Sequence, residues 1–185
     1  MIALTLGLAL LQGAVLLHPT DAFPDQVIEP EAAARTFLAT CWRGLRSPER
    51  LRAAIQASPL QFVPAPTRHA GDRHRYRSDR ADIHYVLEPP FAGYERPICT
   101  MSIRLANEEE ATRFIARLTE KLGLAAPETG TMLDVGTTVY SWRDVPIDDR
   151  AYHLAAEADI DPNGRRPVVL QLSLSFENRM GWPAE

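Results

Sequence analysis

A chain of 185 residues has the length of one domain, and 45% hydrophobic with 24% charged residues lets it bury a core, which excludes disorder for its body. The net charge of -4 gives no general attraction to nucleic acid or anionic lipid, so a DNA- or RNA-binding role loses its first support. Lys121 is the only lysine, a bias that fits GC-rich bacterial coding rather than a need for guanidinium groups.

Ile2 to Leu17 is uncharged and rich in leucine, alanine and valine. As a helix it would reach only about 24 Å, short of the roughly 30 Å hydrocarbon core, so a stable membrane span is disfavoured. His18, Pro19, Thr20, Asp21 and Ala22 then break the helix and end on small residues. The pattern predicts a signal peptide over 1–22, with Thr20 and Ala22 at the small positions of the cleavage site. A single mature domain over 23–185 would begin at Phe23. No basic residue precedes the apolar run, so an uncleaved anchor and a buried N-terminal helix are the competing readings. Leu38-Ala39-Thr40-Cys41 resembles a lipid-attachment box, but Glu31 and Arg35 interrupt the stretch before it, which excludes Cys41 as a lipid site.

In the mature chain Pro30 suits a first helical position, and Ala34, Phe37, Leu38 and Cys41 form one apolar stripe of a helix that Gly44 stops. Ser47 and Pro48 open a second helix, with Leu51, Ala54, Ile55 and Ser58 inward. Pro59, Pro64 and Pro66 keep the next stretch extended. Strands are predicted over Arg73 to Ser78, over Ile83 to Leu87 (closed by Pro89-Pro90) and over Ile98 to Leu105. Asn107 caps a helix whose first turn is Glu108-Glu109-Glu110. Its inner stripe is Ala111, Phe114, Ile115, Leu118 and Leu122, and Gly123 ends it. Three more strands follow, over Thr137 to Trp142, Tyr152 to Ile160 and Val168 to Phe176, with Asp161-Pro162-Asn163-Gly164 as a hairpin connection. The expected fold is α+β, a two-layer sandwich in which helices cover one face of a mainly antiparallel sheet of five to six strands.

Cys41 and Cys99 are the only cysteines and both fall on inward stripes. In an exported chain an even count reads as a disulfide, and two separate buried thiols are the alternative. No C-x-x-C supports a redox enzyme. The nucleophile-elbow, zinc, P-loop and dinucleotide signatures are all missing, and nothing in the sequence calls for a cofactor.

Asp159, Asp161, Asn163 and Gly164 match the opening of a calcium loop, but Leu170 stands where its bidentate glutamate belongs, and the flanks read as strands. A plain hairpin turn is expected, with no metal. His74, His84 and His153 lie on predicted strands without a fixed pairing. Arg73, Arg75 and Arg77 alternate onto one strand face and form the candidate anion-binding edge, with Asp72, Asp79 and Asp82 close enough in sequence to neutralise it. A solvated edge strand, charged to prevent edge pairing, is the bland reading of the same residues.

The pattern points to an exported, periplasmic or secreted, non-catalytic binding module. Its expected partner is another protein or an anionic envelope component, taken on the sheet or the arginine-rich edge. A small exported hydrolase drawing on His74, His84, His153 and Asp148 is the alternative.

Overall fold

The computed structural model describes residues 24–66, 73–91, 94–132, 137–148, 150–161 and 163–176. The predicted signal peptide and Phe23 lie outside them. The described residues form an α+β fold with one antiparallel sheet.

Helix α1 (Pro30–Phe37) begins at its proline and runs directly into a π turn over Leu38–Trp42. A tight corner leads to α2 (Pro48–Ala57), whose N-cap Ser47 accepts the Arg50 N–H through its hydroxyl at 3.2 Å. The chain then lays down β1 (Val63–Pro64), β2 (Arg73–Arg77), β3 (Ala81–Phe91) and β4 (Tyr94–Leu105) as successive antiparallel neighbours. Helix α3 (Glu108–Leu122) carries the chain away from β4. The strands β5 (Glu128–Met132), β6 (Thr137–Ile147), β7 (Arg150–Asp159) and β8 (Val168–Phe176) return it, and β8 pairs with β4. The sheet order is β1-β2-β3-β4-β8-β7-β6-β5.

Eight strands stand where five to six were expected. The two additions are the edge strands. β1 is two residues long with a proline in it, and β5 (Glu-Thr-Gly-Thr-Met) buries too little to show an apolar alternation. A second expectation also fails, because Pro89-Pro90 does not close β3. The strand continues to Phe91, and a register shift between Glu88 and Phe91 accommodates residues that cannot donate to the ladder.

The period of two sorts the sheet. Cys99, Met101, Ile103 and Leu105 of β4, Leu170, Leu172 and Leu174 of β8, and Leu154, Ala156 and Ala158 of β7 are fully buried. The alternating residues Thr100, Ser102, Arg104, Ser173 and Ser175 stay half-exposed. Against the buried face lie Ala33, Ala34, Phe37 and Cys41 of α1 and the π turn, and Ala111, Phe114, Ile115 and Leu118 of α3. These are the apolar stripes of the sequence, except that Leu38 and Leu122 sit half-buried at the margin.

Both ends of α3 use local chemistry. Asn107 Oδ1 accepts the Glu110 N–H at 3.0 Å, Glu110 Oε2 accepts the Ala106 N–H at 3.1 Å, and Gly123 takes the left-handed conformation at φ +63°. Lys121 of α3 reaches Glu31 of α1 at 3.0 Å, and this ion pair holds the Glu31 carboxyl below its ordinary range. Cys41 and Cys99 are bonded, with Cα atoms 5.4 Å apart, so the π turn is tied covalently to the middle of β4.

Candidate functional site

The predicted arginine edge divides into three different situations. The backbone of Arg73 belongs to β2, but its side chain lies outside the described residues. Arg75 grips Asp82 of β3 in a fork, its Nε 3.1 Å from both carboxylate oxygens and its Nη2 on Oδ2. Asp82 is only 5% exposed, and the pair raises the Arg75 guanidinium further above its ordinary value. That grip is structural, because a buried carboxylate needs its cation. Arg77 lies two residues on, directly across from the same Asp82. With Arg80 it lines a groove of about 560 Å³ shared with Asp25, Asp79 and the exposed Val63. Two cations and two carboxylates leave this groove charge-balanced.

Among the described residues the histidines do not converge. His74 sits against the Tyr85 ring, with centroids 6.4 Å apart, on the face of β2 opposite Arg75. His84 and His153 share the half-exposed face but are separated by β4 and β8, three strand spacings or about 14 Å. His153 Nε2 lies 2.8 Å from Ser141 Oγ, across the β6–β7 ladder from a bulge at Arg143-Asp144 where Asp144 has φ +53°. Among the described residues no carboxylate bonds the other ring nitrogen, and the pair stands on the strands' surface.

The calcium-like segment is a turn. The Asp161 carboxylate accepts the Asn163 and Arg165 N–H groups at 3.1 and 3.2 Å, and Gly164 bends the chain at φ +62°. These backbone hydrogen bonds, Asn163's first, hold the carboxyl below its ordinary range, and Arg166 approaches it at 3.5 Å. Among the described residues no cluster of histidine, cysteine, aspartate and glutamate is placed to hold a metal ion.

A separate concentration of positive charge lies at the corner between the π turn and α2. A cleft of about 650 Å³ is lined by Arg43, Arg46 and Arg50 together with Trp42, Ile147 and Asp148. Among the described residues that line it, three guanidinium groups face one carboxylate, and Glu49 takes a hydrogen bond from Ser47 at 3.2 Å beside them. Arg46 Nη1 donates to Asp148 Oδ2 at 3.0 Å in a pair whose side chains are 35% and 72% exposed. Arg43 and Arg50 have no carboxylate partner among the described residues. Asp148 lies at the β6–β7 turn with φ +56°, a conformation that aspartate and asparagine tolerate better than most residues. Behind the cleft, burial pushes the Tyr152 phenol above its ordinary value, while Arg46 and Arg150 pull it down.

Several devices hold this corner in place. The disulfide fixes Cys41. Tyr85 of β3 donates its hydroxyl to the Leu45 carbonyl at 2.9 Å. Gly44 lets the chain pass close over α2, since a Cβ there would stand 2.8 Å from Leu51 Cα. The glycine expected to stop the helix therefore serves a close crossing. With Cys41, Gly44, Leu45 and Leu51 buried, Arg43, Arg46 and Arg50 are turned outward.

Sequence reasoning missed this site. The available signal was arginine at 43, 46 and 50 around Trp42 and Ser47-Pro48. Nothing local said that the β6–β7 turn would close against it.

Comparison with protein families, with curated proteins and with solved structures gives no match to this chain.

Proposed function

We propose that the protein is an exported, non-catalytic binding module that takes an anionic partner in the Arg43–Arg46–Arg50 cleft, with Arg77 and Arg80 of the groove beside β2 as a weaker second contact. The carrying observation is the excess of guanidinium groups over carboxylates in a cleft whose walls are fixed by a disulfide and a close backbone crossing. Arginine suits this task, since its fork matches the planar carboxylate or phosphate oxygens.

Export is supported by the uncharged N-terminal run and is compatible with the disulfide, a bond that persists in oxidising compartments. Among the described residues no helix is long and apolar enough to cross a membrane. The burial pattern supports reading the domain as two layers, with helices on one sheet face. Ser141 and His153 alone do not carry a hydrolase, which needs a third group to orient the base and donors for an oxyanion.

The test is chromatography on an immobilised polyanion at low salt. Arg43→Gln with Arg50→Gln should elute markedly earlier than the parent protein, and Arg77→Gln with Arg80→Gln should elute earlier by a smaller step. Both double variants should stay within about 0.5 kcal/mol of parental stability. The difference should fade as salt rises, because exposed charges are screened over about 8 Å at physiological ionic strength. Native protein should begin at Phe23 or within a few residues by mass spectrometry. Unchanged elution of the Arg43/Arg50 variant counts against the binding half of the reading. Intact chain from Met1 in the cytoplasm counts against export.

A further inference from the structure

The cleft contains more than charge. We infer that its ligand is an oxyanion, a phosphate or carboxylate, borne on an apolar body, and that it binds by displacing Asp148 from Arg46. This rests on the anion-binding reading above and names the ligand class for the same site.

The geometry behind the inference has two parts. First, the cleft is lined at once by three guanidinium groups and by Trp42 and Ile147. A bare inorganic anion would use the arginines and leave those apolar surfaces in water. A ligand with an apolar portion covers them, and each 100 Å² it covers is favourable by enough to tighten binding roughly tenfold or more. The flat indole also suits an aromatic ring or an arginine-bound anion stacked beside it.

Second, the Asp148 carboxylate already occupies one arginine as an incoming carboxylate would. It is held there by the β6–β7 turn rather than by burial, since its side chain is 72% exposed. Exposed ion pairs are weak, so a ligand able to contact Arg43, Arg46 and Arg50 together can compete with the exposed Asp148 contact. In the free protein Asp148 then keeps Arg46 from pairing indiscriminately, and it yields to a partner that also satisfies Trp42.

The substitution Asp148→Asn isolates this role. Asparagine keeps the left-handed turn conformation that φ +56° requires, so the turn should persist, while the competing charge is lost. Binding of phenyl phosphate and of inorganic phosphate to the full protein is measured by calorimetry, and binding of phosphatidylglycerol vesicles by co-sedimentation. Phenyl phosphate is expected to bind the parent about tenfold more tightly than inorganic phosphate. Asp148→Asn is expected to strengthen phenyl phosphate binding about two- to fivefold with an unchanged melting temperature.

Binding of phenyl phosphate in solution assigns a soluble ligand. Binding of vesicles alone, strengthened by Asp148→Asn, assigns a lipid head group. Equal affinity for the two phosphates removes the apolar body, and an Asp148→Asn variant no tighter than the parent removes the displacement; either overturns the inference while leaving the anion-binding reading in place. If neither phosphate nor the vesicles bind, and Arg43/Arg50 replacement leaves polyanion elution unchanged, both fall together.

Discussion

Arg75 and Arg77 occupy equivalent positions in sequence, two residues apart on one strand face, yet the structure gives them different work. The Asp82 carboxylate is nearly enclosed, and Arg75 satisfies both its oxygens. Removing that cation strands a buried charge, which costs far more than breaking an exposed pair. Arg75→Gln should therefore destabilise the fold by about 2–4 kcal/mol in chemical denaturation, and Arg77→Gln, which leaves the Arg75 fork on Asp82 intact, by clearly less. Adding Asp82→Asn to Arg75→Gln should recover part of the loss, since the stranded charge disappears with its partner. Equal effects of the two arginine substitutions would contradict this division of roles. The alternation of Arg73, Arg75 and Arg77 showed which residues share a face. It did not show that Asp82 would be buried, because that depends on the β2–β3 register.

At the level of elements, the π turn and the disulfide act as one joint. A helix that continued as a regular α-helix from Pro30 would present Cys41 at a different angle. The wider turn over Leu38–Trp42 brings its sulfur to Cys99 and swings Trp42 to the cleft. Closing the loop between Cys41 and Cys99 stabilises the fold by about 4 kcal/mol in the chain-entropy model. Replacing both cysteines with serine should lower the unfolding free energy by about 2–5 kcal/mol. It should also loosen the Arg43–Arg50 corner first, seen as faster amide exchange at Leu45 than in β8. Uniform exchange throughout the domain would argue that the bond serves global stability alone.

The sequence made the elements with strong local signals legible. Asn107, the three glutamates and Gly123 specified α3 almost to the residue, and the alternation in β4 and β8 gave their faces. The Cys41–Cys99 bond was legible from two inward stripes. The short edges β1 and β5 were not, since neither buries enough to leave a pattern. The cleft was illegible for a different reason. Residues 42–50 meet 147–148 only because the sheet brings a distant turn to that corner, and no spacing in a linear chain records that.

For the whole molecule, the sheet order describes two meanders of four strands, β1 to β4 and β5 to β8, each preceded by helix. Within each, every strand pairs with its sequence neighbour. The halves meet in the sheet only where β4 pairs with β8, joining residues as far apart in the chain as Ile98 and Ser175. Contacts so distant form slowly, so the meanders should assemble first and the β4–β8 seam should close last. The covalent link between the halves, from Gly123 to Pro127, takes no part in that seam. Cutting there leaves α1, α2 and α3 with the first four strands, leaves β5 to β8 as a meander with no helix of its own, and leaves the disulfide wholly inside the first piece. The gene divided after Gly123 should therefore yield two polypeptides that co-purify one to one when expressed together, and each piece made alone should aggregate through the bare edge of β4 or β8. Topologically the sheet is two meanders written on a single chain, and the loop after α3 is where it should come apart and rejoin.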